Sequence, residues 1–482
     1  MSYIPTIGLE IHAELKTNTK MFCGCKNGLG LENDPNVNVC PVCMGHPGTL
    51  PVANRQAIEN IIKAGLALNC EIPKFAKFYR KNYFYPDLPK GYQITSQNSP
   101  FALGGFIEIG DKKIRIHHIH LEEDAGKLQH SGNSSLVDFN RAGVPLMELV
   151  SQPDIKSGEE ARLFCQKLQL ILRYLDVADA DMERGQMRCE VNISVSKDDK
   201  FGTKVEIKNL NSFKTVEKAV NYEIKRQSEI LDEGGKVIQE TRGWNDFKSE
   251  TFSQRIKEEA HDYRYFEDPD LPAIDIEKID LERLKSEIVE LPEQRRERYR
   301  KEYSLGEENI SLLVFDKELG DYFEKVISEL GGWAKSVGKE LSEKAIKLAA
   351  NYIVSELQKL LVAGGVKISD CKINSENFAE LIKMIVNQEI SSSAAQAILK
   401  EMFIAGGDPS QIVEERGLEQ VSGAEEIETI VGEVIKNNPN SVEDYKAGKE
   451  KALQFLIGQV MKQSKGKANP EVAREVLVKK LK

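Results

Sequence analysis

The chain has 482 residues, and at this length about two to four domains are expected rather than one core. Its apolar stretches are short and interrupted by charge, and its start lacks a basic region followed by an apolar one, so we expect a cytoplasmic protein without membrane association. The formal net charge of -10 argues against a surface that binds nucleic acid throughout, so any RNA contact is expected at a local basic region.

Residues 1–291 alternate short β-type runs with Gly, Pro, Asn and Asp turns, as in residues 86–91 and 104–105. Apolar residues at helical spacing predict helices in the same part of the chain. The predicted helices span residues 53–67, 158–175 and 212–231. Because strands and helices do not alternate regularly, the expected fold class is α+β with a mostly antiparallel sheet.

Four of the eight cysteines form two closely spaced pairs early in the chain. These are Cys23, Cys25, Cys40 and Cys43. In a reducing compartment this spacing indicates a metal more than disulfides, and four thiolates suit a closed, structural zinc site that holds the loop at residues 23–43. The alternative is four ordinary reduced cysteines. His46 lies close by as a competing ligand, although a lone histidine is more often a surface or packing residue.

Three predicted strands carry apolar side chains on one face and ionisable groups on the other. In residues 7–12 the apolar side chains share one face, which places Glu10 and His12 together on the opposite face. Residues 187–193 and 204–208 alternate in the same way. Their polar positions are Arg188, Glu190, Asn192, Lys204, Glu206 and Lys208.

An ordinary solvent-facing sheet surface also alternates, but such faces are usually rich in Thr, Lys and Ser. The polar faces of these strands instead carry carboxylates, an imidazole, an amide and cations. This combination indicates a site for a metal–phosphate complex. Glu and His side chains suit Mg²⁺ or Mn²⁺ with its waters, and cations such as Arg188 and Lys208 suit phosphate oxygens. A further acidic run at residues 122–124 follows three histidines, and a charged turn is the alternative interpretation there.

Two common catalytic motifs do not occur in the sequence. A P-loop is excluded because Leu121 stands where the first glycine would precede Gly126 and Lys127. There is no Gly-x-Ser-x-Gly elbow. The serine run at residues 391–393 lacks flanking glycines, so we interpret it as a helix start rather than a nucleophile.

From residue 292 onward the sequence becomes charged and helical, as in residues 293–302 and 342–361. A second break falls at residues 406–409, whose sequence is Gly-Gly-Asp-Pro, and three further helices are expected after it. We therefore predict three domains. They span residues 1–291, 292–405 and 406–482.

The C-terminal tail is a local basic region, since residues 446–482 contain ten Lys or Arg against three Glu, an excess of seven positive charges. Residues 447–463 predict an amphipathic helix with Leu453, Leu456, Ile457 and Val460 on one side. Lysines cluster at its two ends. These are Lys449, Lys462, Lys465 and Lys467. Such a helix would pack inward and offer cations to RNA phosphates, whereas the alternative is a solvated helical surface.

Five stretches of the sequence together resemble one family, the B subunit of the three-subunit tRNA-dependent amidotransferase. These are residues 7–12, 80–87, 120–127, 208–213 and 262–266. The motifs are long enough to be specific. The resemblance extends from the first strand to the C-terminus.

The resemblance implies a cradle-shaped kinase domain, then an all-α helical domain, then a small helical tail of the YqeY-like type that binds tRNA. It implies that ATP and Mg²⁺ are used to phosphorylate the side-chain carboxyl of glutamate on glutamine-specific tRNA, or of aspartate on asparagine-specific tRNA. Ammonia then displaces the phosphate. The resemblance also implies three partners. One is the aminoacyl-tRNA, and one is an amidase, the A subunit, which releases ammonia from glutamine. The third is a small C subunit.

Matched residue by residue, the resemblance also implies the positions that carry the chemistry. The metal-binding and catalytic positions are Glu10, His12, Glu123, Glu190 and Glu206. Those expected to bind Mg²⁺ are Glu10, His12, Glu123 and Glu206, while Arg188 and Lys208 are expected to contact the nucleotide phosphates. Some family members carry another acidic residue at the position of Glu190. Others lack the four cysteines, so the zinc is expected to be structural.

Two other hypotheses fit parts of the same sequence. A metallohydrolase would use Glu10, His12 and Glu206 on a permanently bound ion and would need no ATP. A non-enzymatic RNA-binding adaptor would rely on the cysteine loop and the basic tail. Phosphate release from ATP that depends on misacylated tRNA would exclude the adaptor.

Overall fold

The computed structural model describes residues 3–28, 34–198, 200–256, 262–418, 424–464, 468 and 470–481. The chain divides into two compact units, Met1–Leu291 and Pro292–Lys482. The first unit is a mixture of strands and helices and the second is helical, in agreement with the predicted α+β class followed by helices. Among the described residues, no helix has the length and apolar character needed to cross a membrane.

The described part of the first unit contains sixteen strands. They are β1 (Ile4–Glu14), β2 (Phe75–Ala76), β3 (Tyr79–Asn82), β4 (Tyr92–Thr95), β5 (Ala102–Leu103), β6 (Phe106–Ile109), β7 (Lys112–Glu123), β8 (Lys127–Ser131), β9 (Ser134–Asp138), β10 (Pro145–Ser151), β11 (Met187–Ser196), β12 (Val205–Leu210), β13 (Glu240–Asn245), β14 (Glu250–Ile256), β15 (Phe266–Glu267) and β16 (Ile274–Asp275).

Twelve of these strands form one large sheet. Its order is β14-β13-β12-β11-β1-β10-β7-β4-β3-β15, and β5 and β6 also pair with β7. The pairing of β12 with β13 is parallel, and the other pairings in this sheet are antiparallel, so the sheet is mixed but mostly antiparallel. β1 lies near the middle, between β10 and β11.

The first unit also contains α1 (Arg55–Ala67), α2 (Gly158–Tyr174), α3 (Phe213–Asp232) and α4 (Leu281–Ser286). The first three agree with the predicted helices to within about two residues. Each begins where the sequence provides a cap: the side chains of Asn54, Ser157 and Ser212 accept a hydrogen bond from the backbone N–H three residues further on.

The core of the first unit lies between the sheet and these helices. Ile7, Leu9 and Ile11 of β1 are buried in it, together with apolar residues of α1, α2 and α3. α1 contacts β7, α2 contacts β6 and α3 contacts β11. The helices therefore cover the apolar face of the sheet, and the alternating polar residues of β1 point to the opposite face.

The second unit consists of helices in its described residues. They are α5 (Pro292–Glu302), α6 (Glu307–Phe315), α7 (Lys317–Ser336), α8 (Glu343–Asn351), α9 (Gln358–Gly364), α10 (Ser375–Val386), α11 (Ser392–Ala405), α12 (Pro409–Arg416), α13 (Ala424–Asn437), α14 (Pro439–Lys446), α15 (Glu450–Gln463) and α16 (Pro470–Leu481). A π-helical segment, Tyr352–Leu357, joins α8 to α9. Ser391 caps α11, so the serine run is a helix start, as predicted.

Helices α13 to α16 share a hydrophobic core of their own. Three of the predicted inward-facing residues of α15, Leu453, Leu456 and Val460, are buried in this core, and Ile457 packs against it. The predicted cations Lys465 and Lys467 lie outside the described residues. α12 instead contacts α10 and α11.

Candidate active site and metal-binding clusters

Three carboxylates meet on the polar face of the sheet, and we call Glu10, Glu190 and Glu206 the Glu10 cluster. Glu10 on β1 lies directly opposite Glu190 on β11, and Glu206 on β12 lies opposite Asn192. One oxygen from each carboxylate lies within 4.8 Å of the others. The polar faces of three neighbouring strands therefore meet at one point.

Polar side chains around the Glu10 cluster orient its carboxylates. The Nδ2 atom of Asn192 donates to Oε1 of Glu10 at 2.8 Å. The Nζ atom of Lys208 lies 2.7 Å from Oε2 of Glu190 and 3.2 Å from Oε1 of Glu206. Lys208 therefore contacts two of the three carboxylates and places a cation beside them.

The charges of this cluster perturb the groups within it. Burial raises the pKa of Glu10, and the charges of Glu148 and Glu190 raise it further. Burial lowers the pKa of Lys208, but Glu190 and Glu206 outweigh this effect and the net pKa is raised. The three carboxylates of the Glu10 cluster carry more negative charge than the ammonium group of Lys208 can neutralise. Mg²⁺ and Mn²⁺ bind to oxygen ligands with such an excess of negative charge.

A second group lies further along β1, and we call His12, Glu122 and Glu148 the His12 cluster. The Nε2 atom of His12 lies 3.2 Å from Oε2 of Glu148 and 3.6 Å from Oε1 of Glu122. The buried His120 on β7 contacts the same carboxylates, since its Nε2 atom lies 3.3 Å from Oε2 of Glu148 and 3.6 Å from Oε2 of Glu122. Two imidazoles thus share two buried carboxylates.

The pKa values in the His12 cluster follow from this sharing. Burial lowers the pKa of His12, but the hydrogen bond and charge of Glu148 and the charge of Glu122 raise it above its ordinary value. Burial acts on His120 in the same direction, and Glu148 and Glu122 together raise its pKa to about 9. Burial raises the pKa of Glu148, but the two histidines outweigh this and hold it well below the ordinary range.

Glu123 does not join either cluster. Its Oε2 atom lies 2.5 Å from Nζ of Lys90, and its Oε1 atom accepts a hydrogen bond from the backbone N–H of Ile94 at 2.9 Å. Because neighbouring residues of a strand point to opposite faces, Glu122 faces His12 while Glu123 faces away. Glu122 therefore lies beside His12, whereas Glu123, which the resemblance implied as a metal-binding residue, contacts Lys90.

Arg188 lies beside the His12 cluster rather than on the Glu10 cluster. It is opposite His12 across β1 and β11, and its Nη2 atom donates to Oδ1 of Asp124 at 2.9 Å. The Nε atom of Arg141 lies 3.4 Å from Oδ2 of the same aspartate. Arg188 is thus held at the site by an ion pair, whereas Lys208 contacts the carboxylates of the Glu10 cluster directly.

Glu148 was missed in the sequence analysis. It lies opposite His12 on β1 and opposite His120 on β7, where it is 8% exposed. The signal was a single carboxylate inside the otherwise apolar run Pro-Leu-Met-Glu-Leu-Val of β10. Since a buried charge needs a partner, such a residue marks a polar cluster even before its neighbours are known.

The four predicted zinc ligands also converge. The Sγ atoms of Cys23, Cys25, Cys40 and Cys43 all lie within 4.8 Å of one another, and none of the four is in a disulfide. His46 lines the neighbouring cavity but is not among the converging groups. Four soft sulfur ligands without an open position suit a tetrahedral structural zinc ion.

Cys43 is the cysteine of this set whose pKa is lowered, so its thiol loses its proton most readily. A hydrogen bond from Cys23 lowers its pKa, and the backbone N–H of Cys40 and the charge of Lys20 add to this against the effect of burial, giving a pKa of about 4. The fully buried Lys20 lies with its Nζ atom 3.9 Å from the Sγ atom of Cys43. A metal ligand must be deprotonated, so the charge of Lys20 favours metal binding at Cys43.

Known proteins resemble this chain over its full length. Residues 5–282 match the family model described as the GatB/GatE catalytic domain, and residues 334–481 match that described as the GatB domain. A relative from Persephonella marina is 51% identical over 488 residues, covering 100% of both chains. Relatives from Carboxydothermus hydrogenoformans and Brevibacillus brevis are 48% and 46% identical, covering 99% and 98% of each chain. Each relative is named as the B subunit of aspartyl/glutamyl-tRNA(Asn/Gln) amidotransferase.

Proposed function

The chain belongs to the family of aspartyl/glutamyl-tRNA(Asn/Gln) amidotransferase B subunits, and from this premise we propose that it activates an amino acid carried on tRNA and then amidates it. The family resemblance drawn from five sequence motifs is confirmed, and the chain is a subunit of a ligase. In the proposed reaction ATP phosphorylates the side-chain carboxyl of Glu-tRNA(Gln), Asp-tRNA(Asn) or both. Ammonia from a partner then replaces the phosphate.

The chemistry requires activation because a carboxylate has no leaving group that ammonia can displace. In the first step a carboxylate oxygen attacks the terminal phosphorus of ATP and ADP leaves. In the second step the nitrogen of ammonia bonds to the acyl carbon, the bond from that carbon to the phosphate oxygen breaks, and nitrogen gives up a proton. Phosphoryl transfer depends mainly on positioning and on neutralising phosphate charge.

The observation that carries this proposal is the Glu10 cluster with Lys208 in contact with Glu190 and Glu206. We assign Mg²⁺ to Glu10, Glu190 and Glu206, where the ion would neutralise phosphate oxygens. Lys208 binds a phosphate oxygen of ATP, and Asn192 fixes the orientation of Glu10. We assign a second divalent ion to the His12 cluster, with Glu122 in the role that the sequence analysis gave to Glu123.

The four cysteines are proposed to hold zinc, with a structural role. The four thiols form a group separate from the carboxylates of the two clusters, and this thiol set fits a closed site better than a catalytic one. The zinc would hold this loop of the first unit in place. No chemical step of the proposed reaction involves it.

We also propose the partners that the reaction requires. The relatives are named as B subunits, and the sequence contains no Gly-x-Ser-x-Gly nucleophile, so glutamine hydrolysis is assigned to an amidase, the A subunit, working with a small C subunit. The first unit is assigned to activation and amidation. The tail domain, proposed at residues 406–482, is assigned to tRNA binding because of its basic residues.

The test of this function is phosphate release from ATP by the complete complex. We expect release that depends on a misacylated tRNA and is followed by amide formation when glutamine is added. Amide formation without ATP consumption would contradict the activation step, whereas metal-dependent hydrolysis without ATP would favour a metallohydrolase. Absence of both reactions, with tRNA binding intact, would favour the adaptor hypothesis.

A further inference from the structure

Lys81 on β3 lies on the same face of the large sheet as the His12 cluster. Thr95 of β4 lies opposite Glu122 on β7 and, on its other side, opposite Tyr79 on β3. Residues that lie opposite one another in a sheet share a face, and Lys81 follows Tyr79 by two residues along the strand. The side chain of Lys81 therefore points to the face that carries Glu122.

The ammonium group of Lys81 has no anionic partner in direct contact. Its Nζ atom lies 5.0 Å from the centre of the Tyr263 ring, and within the described part of the chain it forms no hydrogen bond or ion pair. Burial lowers the pKa of Lys81, but the nearby Glu122, Tyr265 and Glu148 outweigh this effect and the net pKa is raised. The group is therefore a charged ammonium at neutral pH.

Three tyrosines form a row of rings beside this ammonium group. The centre of the Tyr263 ring lies 6.1 Å from that of Tyr83 and 5.9 Å from that of Tyr265. The hydroxyl of Tyr265 donates to Oε1 of Gln97 at 2.9 Å, which fixes the end of the row. Lys81 and the three tyrosines are partly exposed, so a ligand can reach them. An aromatic ring attracts a cation without neutralising its charge, so the ammonium group remains available to an anion.

The charge balance of the His12 cluster indicates which kind of ligand suits Lys81. Glu122 and Glu148 supply the negative charge that acts on Lys81. The divalent ion assigned to this cluster would cancel the charges of these two carboxylates and leave Lys81 without a countercharge. A partly buried cation without a countercharge is unfavourable, so the occupied site requires an additional anion. In the proposed reaction the substrate provides one, the side-chain carboxylate of the amino acid carried on tRNA.

We propose that Lys81 binds the side-chain carboxylate of the amino acid carried on tRNA and holds it for phosphorylation. The inference rests on the proposed function and adds the residue that recognises the acceptor group. A charge-assisted hydrogen bond from Nζ to one carboxylate oxygen leaves the other oxygen free to attack the terminal phosphorus of ATP. The new oxygen–phosphorus bond forms as ADP leaves with the electron pair of the broken bond, and Lys81 keeps its protons throughout.

Binding of Glu-tRNA(Gln) and Gln-tRNA(Gln) tests this assignment without ATP, because the two ligands differ only by a carboxylate in place of an amide. With Mg²⁺ present, the complete complex should bind Glu-tRNA(Gln) roughly tenfold more tightly than Gln-tRNA(Gln). In Lys81→Met this preference should disappear, while the Kd for uncharged tRNA(Gln) stays unchanged. Asp-tRNA(Asn) and Asn-tRNA(Asn) are compared in the same way, and the preference is expected in at least one of the two pairs. Filter binding at one fixed salt concentration measures all these Kd values.

Further variants separate the charge of Lys81 from its bulk. Lys81→Gln removes the charge but stays polar, so it should lose the preference as well, and it provides the test if Lys81→Met fails to fold. Lys81→Arg keeps the charge and should retain part of the preference. The matched control is Lys77→Met, because Nζ of Lys77 pairs with Oε1 of Glu267 at 2.9 Å and its loss should leave the preference intact. Circular dichroism melting checks the fold of each variant.

The outcomes separate this inference from the proposed function. A preference for the carboxylate form that persists in folded Lys81→Met or Lys81→Gln would overturn the assignment of Lys81 alone. Equal binding of both forms by the unmodified complex, in both pairs of tRNA, would overturn it as well. Absence of tRNA-dependent phosphate release from ATP in the unmodified complex would instead overturn the proposed function, because the binding measurements contain no ATP.

Discussion

Glu10 and Glu206 each supply a carboxylate to the Glu10 cluster, and both are held by neighbouring side chains. Asn192 donates to Glu10, and the hydroxyl of Thr241 donates to Glu206 at 2.9 Å. We expect Glu10→Gln and Glu206→Gln each to abolish amide formation, a loss of roughly a thousandfold or more, because each removes charge that we propose binds the metal at the proposed phosphoryl-transfer site.

Glutamine hydrolysis by the partner subunit should remain measurable in both variants, since the amidase is untouched. The matched control is Glu108→Gln, because Glu108 lies exposed on β6 and pairs with Lys113 rather than with either cluster. Both activities are measured with the same purified complexes. Full amidation by Glu10→Gln or Glu206→Gln would remove that carboxylate from the mechanism.

The raised pKa of Glu10 predicts pH-dependent metal binding. The carboxyl must lose its proton to bind a divalent ion, and its folded-state pKa lies above the ordinary value, so protons compete at higher pH than for an ordinary glutamate. The affinity for Mn²⁺ should therefore begin to fall at a higher pH than for a site of ordinary glutamates as the pH is lowered. Electron paramagnetic resonance measures the concentration of free Mn²⁺ and therefore the affinity at each pH. Glu10→Gln should bind Mn²⁺ more weakly, and its affinity should depend less on pH.

The cysteine site predicts one equivalent of zinc in protein purified without a chelator. Cys40→Ser should lose the zinc and lower the free energy of unfolding by more than about 2 kcal/mol, because a metal that binds only the folded chain stabilises it. At saturating substrate the turnover number should change little. Cys371→Ser is the control, since Cys371 lies in the second unit and should leave the zinc content unchanged. A metal analysis that finds no zinc would contradict the assignment.

At the scale of elements, α5 and α7 are joined by a buried arginine. Arg295 of α5 is 4% exposed, and its Nη2 atom lies 2.6 Å from Oε1 of Glu324 on α7. Its Nε atom also donates to the hydroxyl of Tyr299 at 2.9 Å. Burial raises the pKa of Glu324, but hydrogen bonds from Arg298, Tyr299 and Arg295 outweigh this and the net pKa is lowered.

Glu324→Gln should therefore destabilise the second unit by about 1–3 kcal/mol at neutral pH, less than for a fully buried pair because Glu324 is partly exposed. A carboxyl with a lowered folded-state pKa stabilises above its unfolded-state pKa, and this contribution is lost as the pH falls through the folded value. The difference in stability between variant and parent should shrink as the pH falls from about 5 to about 3. Thermal unfolding measures it, with Glu329→Gln on the exposed side of α7 as control. An unchanged difference at low pH would contradict the ion pair.

At the scale of the whole molecule, α13 to α16 form a cluster with their own hydrophobic core, whereas α12 contacts α10 and α11. Deleting residues 424–482 removes that cluster and the whole basic tail, residues 446–482, but leaves α12 in place. We expect the KM for aminoacyl-tRNA to rise about tenfold at low salt with a much smaller change in kcat. The carboxyl chemistry in the first unit should stay intact.

The salt dependence separates this explanation from a general loss of structure. Contacts to RNA phosphates release counterions, so the difference in KM between the full and shortened chains should shrink as salt is raised. Lys462→Glu, a single charge reversal on α15, should give a smaller shift in the same direction. A shortened complex with unchanged KM at low salt would show that the basic tail is only a solvated surface.

The sequence by itself determined the features that depend on residues close to one another along the chain. The alternation at residues 7–12 specified which side chains of β1 enter the core, because successive side chains of a strand point to opposite faces. The spacing of Cys23, Cys25, Cys40 and Cys43 specified a set of thiols that converge in the fold. Capping residues specified three helix starts, and five motifs specified the family.

The tertiary structure alone decided which residues meet across strands. Glu122 reaches His12, whereas Glu123 does not. The pairing of β7 with β10, and of β10 with β1, decides which of these two adjacent carboxylates lies on the same face of the sheet as His12. Glu148 enters the His12 cluster through the same pairing. Strand register is a relation between distant segments, and a shift by one residue moves every side chain to the other face.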